Sequence, residues 1–278
     1  MTGPSDQLPD GYPAEAEADV VLSDGGTVHV RPIRPDDSDR IASLHHRLSA
    51  ETIYLRFFTP LPSLSPSMLE RFVHVDYDDR LALVAVLGDE IVAVARYDRL
   101  PGQDAAEVAF VVDDAHQGRG IGILLLEHLA AAAAARGIRR FVAETLPNND
   151  KMLKVFHAAG FGDERHFSEG IIQVSFPIEP TDSSVAAMHG REQKAVARSI
   201  ERLLRPTTVA VIGASRQPDQ IGHTVLTNLL AGGFTGAVYP VNPAAHAVAS
   251  VRSYASIMDI PDHIDLAIVV VPAAAVPQ

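Results

Sequence analysis

Residues 107–122 read EVAFVVDDAHQGRGIG. The apolar run from Val108 to Val112 predicts a strand, and Ile123, Leu124 and Leu126 beyond it predict a helix anchored in a core. Between them Gly118, Gly120 and Gly122 fall within five residues. Glycine leaves out the Cβ where a ligand must touch the backbone. The first N–H groups of a helix lack intrahelical partners, and the helix dipole favours an anion beside them. The turn is therefore suited to a pyrophosphate. Structural turns and mononucleotide loops share such glycines, so the order of the surrounding elements carries the decision.

Upstream, Thr27 to Arg31 alternates in polarity after Gly25 and Gly26 and predicts a short strand. Asp36 and Asp37 can cap a helix to about Leu48, a second short helix starts at Ser49, and a third spans Ser67 to His74. Leu81 to Leu87 and Glu90 to Asp98 predict two strands joined at Gly88 and Asp89, a hairpin composition. A third strand, Ala105 to Val112, enters the glycine turn. Downstream, the long helix runs to about Gly137, Arg140 to Thr145 is a strand, Asp150 to Ala159 is a helix stopped by Gly160, and Gly170 to Phe176 is a strand.

A boundary falls at Pro177 to Asp182. Val185 to Leu204 predicts an amphipathic linker helix packed on a neighbour, with Val196, Ile200, Leu203 and Leu204 on one face. From Pro206 a new pattern starts: strand Val209 to Ile212 ending in Gly213, Ala214 and Ser215, a helix from about Gly222 to Ala231, and strands Gly236 to Pro240 and Asp265 to Val271. Alternating strands and helices imply a parallel sheet. A doubly wound domain would be about half complete at Gln278, which suggests a truncated chain.

Composition narrows the chemistry. The 278 residues are 47% hydrophobic and 21% charged, enough apolar material for a sizeable core. The formal net charge of −12 disfavours nucleic acid and anionic membrane and favours a cationic partner. With no cysteine, thiolate nucleophiles, disulfides and Cys-ligated metals are excluded; no metal is expected. Residues 1–18 lack a basic start and an apolar run, so they read as a disordered tail rather than a signal peptide. No stretch approaches the ~20 apolar residues of a membrane span, and a cytoplasmic protein is expected.

Gln117, Gly120 and Gly122, in this order of elements from about Thr27 to Phe176, resemble the phosphate-binding motif of the GNAT acetyltransferases: Gln or Arg, two residues, Gly, one residue, Gly or Ala. Residues 146–161, LPNNDKMLKVFHAAGF, resemble that family's later motif, in which an Asn starts a helix along the CoA arm. The resemblance implies a mixed α/β sheet with flanking helices over 19–179 and acetyl-CoA as cosubstrate. It places Val111, Val112, Gln117, Gly118, Arg119, Gly120, Ile121, Gly122, Asn149 and Met152 at the cofactor. Read by itself, Asn149 is a good helix N-cap.

Acetyl transfer needs a neutral amine, yet a lysine is mostly protonated near pH 7. A carboxylate beside the thioester can accept that proton. Glu107 stands on the strand entering the turn, where the general base of bacterial protein acetyltransferases resembling this chain is found; strand alternation alone would send it to solvent. Asp113 and Asp114 read as solvated turn residues. The family's usual Tyr general acid is matched by Phe156, which has no proton to give, so that role is unassigned.

Segments 49–58 and 72–78 resemble the acceptor side of bacterial protein-lysine acetyltransferases that modify acyl-CoA synthetases. Asp76, Asp78, Asp79 and Glu51 would then attract a lysine-rich surface; a packed helix pair explains Tyr54, Phe57 and Phe58 equally well. Residues 206–278 resemble the start of the CoA-binding domain of ADP-forming acyl-CoA synthetases, a partial Rossmann-like parallel α/β domain, with Gly213 to Ser215 near the CoA phosphates and Asn242 near the nucleoside. The expected organisation is a tail (1–18), a GNAT domain (19–179), a linker helix (180–205) and a partial CoA-binding domain (206–278). The expected activity is N-acetylation of a protein lysine, with an acyl-CoA synthetase as candidate partner. The alternatives are a small-molecule amine acetyltransferase and a non-catalytic CoA-sensing module.

Overall fold

Successive strand residues point to opposite faces, and the first half of the chain uses both faces of one sheet. The computed structural model describes residues 8–160 and 164–276. They fall into two compact units, Met1–Val196 and Ala197–Gln278.

The first unit contains β1 (Ala18–Val21), β2 (Thr27–Pro32), α1 (Ser38–Arg47), α2 (Ala50–Phe57), α3 (Pro66–Val73), β3 (Arg80–Leu87), β4 (Glu90–Arg99), β5 (Ala105–Val112), α4 (Ile121–Ala134), β6 (Arg140–Thr145), α5 (Asp150–Ala158), β7 (Glu164–Ser168) and β8 (Ile171–Pro177). The sheet runs β1-β2-β3-β4-β5-β6-β8-β7. Its neighbours are antiparallel except β5 and β6. A parallel pair needs a long crossover, and α4 is that crossover.

The two faces have separate cores. Leu81, Leu83, Ala95, Tyr97, Ala106 and Val108 pack under α4 and α5. Ala82, Val84 and Ile91, with partly buried Val94 and Val111, pack under α1 and α3. Asp37 is fully buried and takes two hydrogen bonds of 2.7 Å from Arg31, which fixes the start of α1 on β2. Burial raises the Asp37 carboxyl, but the hydrogen bonds from Arg31 and the Arg34 backbone outweigh it and hold the group below the usual range.

The expected helices and strands of 27–177 are present, with ends moved by a residue or two. β1 and β7 are additions. β1 has only four residues, and all of β7 is exposed, so neither presents an apolar face to a pattern. The tail expected over 1–18 does not hold for its described part. Residues 1–7 lie outside the described residues, but Tyr12 stacks edge-on against Tyr77 at 5.6 Å and Arg34 bridges Tyr12 and Glu17. Aromatic burial holds this segment down where composition suggested disorder.

The linker helix also differs from expectation. It is α6, Asp182–Leu204, and its part up to Val196 belongs to the first unit. Ser184 and Ala195 are buried, and Arg191 donates to the Ala158 carbonyl at 2.7 Å and pairs with Glu127. A Cβ on Gly160 would stand 3.0 Å from the Ser184 backbone. Val196, Ile200, Leu203 and Leu204 are exposed rather than packed. A chain ending at Glu179 should therefore melt roughly 5–10 °C below one ending at Val196, since each kcal/mol shifts Tm by about 2–4 °C at this size. Differential scanning calorimetry of the two chains checks this.

The second unit holds β9 (Thr208–Ile212), α7 (Ile221–Ala231), β10 (Ala237–Val241), β11 (Ala247–Val248), β12 (Val251–Arg252) and β13 (Leu266–Val269). Strands β10-β9-β13 form a parallel sheet, as the strand–helix alternation predicts. Gly213 (φ +89°) and Gly222 are required here: a Cβ on Gly222 would lie 2.0 Å from the Gly213 carbonyl oxygen. Among the described residues no helix is long and apolar enough to cross a membrane.

Candidate active site

The parallel pairing of β5 and β6 runs from Ala105–Arg140 to Glu107–Val142 and stops. Strand β5 stays paired to β4 as far as Val112, and β6 stays paired to β8 as far as Thr145. The facing edges of β5 and β6 therefore separate beyond Glu107, and a wedge opens in the middle of the sheet. A cleft of ≈ 470 Å³ occupies it, lined by Arg56, Glu107, Phe110, Thr145, Met152 and Phe156 among others. Edge N–H and C=O groups released from a ladder need new partners, so the wedge suits a ligand carrying amides. The Thr145 hydroxyl, buried at the cleft, has no hydrogen-bond partner among the described residues.

Glu107 sits at the apex, the last residue of the paired stretch. Alternation sends Ala106 and Val108 into the α4 core and Glu107 to the opposite face, with Ala109 and Val111. The Glu107 side chain is exposed and opposite Asp98 on β4. Alternation exposes it, as expected, and the place where it is exposed is a cleft.

The wedge leads toward the glycine turn. Gly118 (φ +77°) and Gly120 (φ +88°) are in the left-handed region, and Gly120 is the N-cap of α4. None of the backbone N–H groups from Gly118 to Ile123 has an acceptor among the described residues. Six successive free donors stand at the start of a helix of 14 residues, an arrangement of the kind that suits an anion. Ile121 contributes its side chain to the core and its N–H to this surface. A Cβ on Gly122 would meet Val155 at 3.6 Å and Val112 at 3.9 Å.

Other side chains hold the turn in shape. Arg119 donates to Asp24 at 2.6 Å and contacts His116 at 2.9 Å, and its carbonyl accepts from the Ser23 N–H. Gln117 donates to the Val112 carbonyl at 3.1 Å and accepts from Lys151 at 2.7 Å. Asn149 caps α5 by accepting from the Met152 N–H at 3.1 Å while lining the cleft with Met152. Val111 and Val112 lie on the freed part of β5; Val111 faces the α1–α3 side and Val112 the α4 side.

Asp113 is not a solvated turn residue, whereas Asp114 is exposed, as expected, but hydrogen-bonded. Asp113 is 4% exposed and accepts from Arg47 at 2.7 Å. Asp114 accepts from the Ser49 N–H, the Ser49 and Thr52 hydroxyls and Gln117. Burial raises its carboxyl, but the hydrogen bonds from Ser49 and Thr52 outweigh that and lower it. These contacts tie the glycine turn to the N-terminus of α2, a link that no local pattern announces. Phe156 is 1% exposed and packs on Phe176 at 5.2 Å and Phe110 at 6.2 Å, so it acts as an apolar wall. Phe161 lies outside the described residues.

On the α2 side, Tyr54 is exposed while Phe57 and Phe58 are partly buried. Of the acidic residues expected to draw a basic surface, Asp76 accepts from the Asp78 and Arg80 N–H groups, and Asp79 pairs with Arg99 at 2.6 Å. Glu51, Asp76, Asp78 and Asp79 are all exposed. The residue missed is Arg56, which lines the Glu107 cleft. Its signal was a lone cation within the apolar stretch 55–58. In the second unit, Asn242 donates to the Ala214 carbonyl at 2.6 Å and accepts from the Ala244 N–H, so it braces the Gly213–Ser215 turn. Among the described residues no group of acids and histidines could hold a metal.

A GNAT acetyltransferase family model matches residues 48–161. The GNAT domain of an S. lividans protein named PAT shares 51% identity, with TM-score 0.58, over 60% of this chain and 99% of that one. The chain belongs to the GNAT acetyltransferase family. An acetyltransferase of Pseudomonas aeruginosa is 30% identical over 148 residues, 52% of this chain and 80% of that protein. A CoA-binding domain model matches residues 207–278. There an ADP-forming acetate–CoA ligase of Archaeoglobus fulgidus is 49% identical over 76 residues, 27% of this chain; the chain spans only 11% of that ligase. A GNAT acetyltransferase and a CoA-binding domain are thus joined in one chain.

Proposed function

We propose that this chain transfers the acetyl group of acetyl-CoA to the ε-amine of a protein lysine. The observation that carries the reading is Glu107 at the apex of a wedge whose far end is a row of free N–H groups. The N–H groups of Gly118 to Gly122 would hold the pyrophosphate. The freed edge at Val111 and Val112, with Asn149 and Met152 opposite, would flank the pantetheine arm, while Gln117 and Arg119 keep the turn in shape.

In this reading the incoming ammonium gives a proton to the Glu107 carboxylate, directly or through one water. The amine nitrogen then bonds to the acetyl carbon as the carbon–sulfur bond breaks, the sulfur leaves with the electron pair, and the nitrogen releases its second proton to solvent to leave the neutral amide. Phe156 supplies no proton, so the thiolate is protonated from solvent; CoA's thiol is acidic enough for this.

The fused CoA-binding domain makes an acyl-CoA synthetase the favoured acceptor. We assign acetyl transfer to 19–179 with the part of α6 up to Val196, and ligand control or docking to residues from about 206. The test is thiol release from acetyl-CoA with an acyl-CoA synthetase as acceptor, with acetyl-lysine identified by mass spectrometry. A chain ending at Val196 should turn over at the rate of the full chain. Loss of turnover with acetyl-CoA still bound would overturn the division of labour. Release with small amines but with no protein would overturn the choice of acceptor.

A further inference from the structure

We propose that the apolar cleft between the α1–α3 layer and the sheet binds a free aliphatic carboxylic acid, its carboxylate on Arg56 and its tail among the hydrocarbon side chains. The cleft is walled by residues such as Ile41, Leu44, Leu64, Phe72 and Val94. Its cations are Arg56 and Arg96, beside a single histidine, His45, whose Nε2 is bonded to the Leu61 carbonyl at 2.8 Å.

The charges around this cleft do not balance. Arg96 is 8% exposed, pairs with Asp98 at 3.2 Å and stacks over Phe72. Asp98 is shared with Arg80, at 2.9 Å. One carboxylate thus serves two guanidiniums. Arg56 is partly buried and has neither a hydrogen bond nor an ion pair among the described residues; its guanidinium lies over the Phe57 ring at 5.1 Å, in a lining it shares with Glu107. Burial, with the Arg96 charge adding to it, pulls Arg56 down to about 10, against the weaker pull of Glu107 and Asp98. Arg56 remains charged at neutral pH. A poorly solvated charge without a partner is costly, and a carboxylate is the anion that a guanidinium fork fits with two hydrogen bonds.

The rest of the cleft selects the remainder of the ligand. Away from Arg56, Arg96 and His45 the walls are hydrocarbon, so a sugar or phosphate ester reaching along them would leave its polar groups unpaired. A hydrocarbon tail gains with each methylene it buries. A carboxylate with an unbranched tail satisfies the cation and the walls together. Nothing in this inference depends on acetyl transfer, and its test reads binding only.

The experiment is isothermal titration calorimetry of the full chain with acetate, butyrate, hexanoate and octanoate, and with octanamide. Affinity should rise roughly threefold to fourfold per added methylene, the scale of a buried CH2 group, and octanamide should bind at least tenfold more weakly than octanoate. Arg56→Met should lose at least tenfold in octanoate affinity while Tm stays level or rises, since an unpaired charge is removed. Affinities flat in chain length, equal binding of octanamide, or unchanged binding by the variant would each overturn the proposal. So would a fall of several degrees in the variant's Tm, which would make Arg56 a structural residue.

Discussion

Replacing Glu107 by Gln should leave acetyl-CoA affinity within about twofold and cut turnover by about a hundredfold or more, the usual contribution of a positioned base. The side chain is exposed and packs into neither core, so the substitution costs little stability. It also keeps the shape of the apex. Only the ability to take a proton is lost. With the parent chain, the rate should rise with pH as the acceptor amine loses its proton. The variant should keep that dependence at the lower rate. Titration calorimetry with acetyl-CoA and steady-state thiol release over pH 6–9 separate the two effects. A variant turning over at the parent rate would make Glu107 a strand residue that happens to face a cleft.

Gly120→Glu should weaken acetyl-CoA binding by about a hundredfold or more. Two effects act together. Gly120 has φ +88°, a region that costs a side chain about 1–2 kcal/mol, and its Cβ would stand 3.6 Å from Ser23. The new carboxylate would also lie beside the free N–H row, where like charge a few ångströms from a phosphate costs several kcal/mol. Gly120→Ala separates the terms: it carries the strain without the charge and should lose much less affinity. The far-ultraviolet circular dichroism of both variants should match the parent. Parent-level affinity in a folded Gly120→Glu protein would remove the glycine turn from the cofactor site.

Much of this was legible in the residues because it is local. The alternation of 81–98 and 105–112, the glycines of 118–122 and the helical spacing after them each specify conformation within a few residues, so strands, turn and helix could be placed in order. The N-cap role of Asn149 was legible for the same reason: a cap is one side chain and the next turn of backbone. Elements that present no apolar face, such as β7, were not. Neither was the fate of Tyr12, whose partners Tyr77 and Arg34 lie far along the chain.

The sequence by itself determined the glycine turn and, through the order of elements around it, the family; Glu107 came forward as a candidate base from that resemblance. The tertiary structure decided what those segments meet. It ended the pairing of β5 with β6 at Glu107 and so turned a strand carboxylate into the apex of a wedge. It folded Asp114 back onto Ser49 and Thr52, and it brought Arg56 to the cleft with neither a hydrogen bond nor an ion pair among the described residues. Charge balance around a site is a sum over residues from α2, β3, β4 and β5. It exists only once the sheet has brought them together.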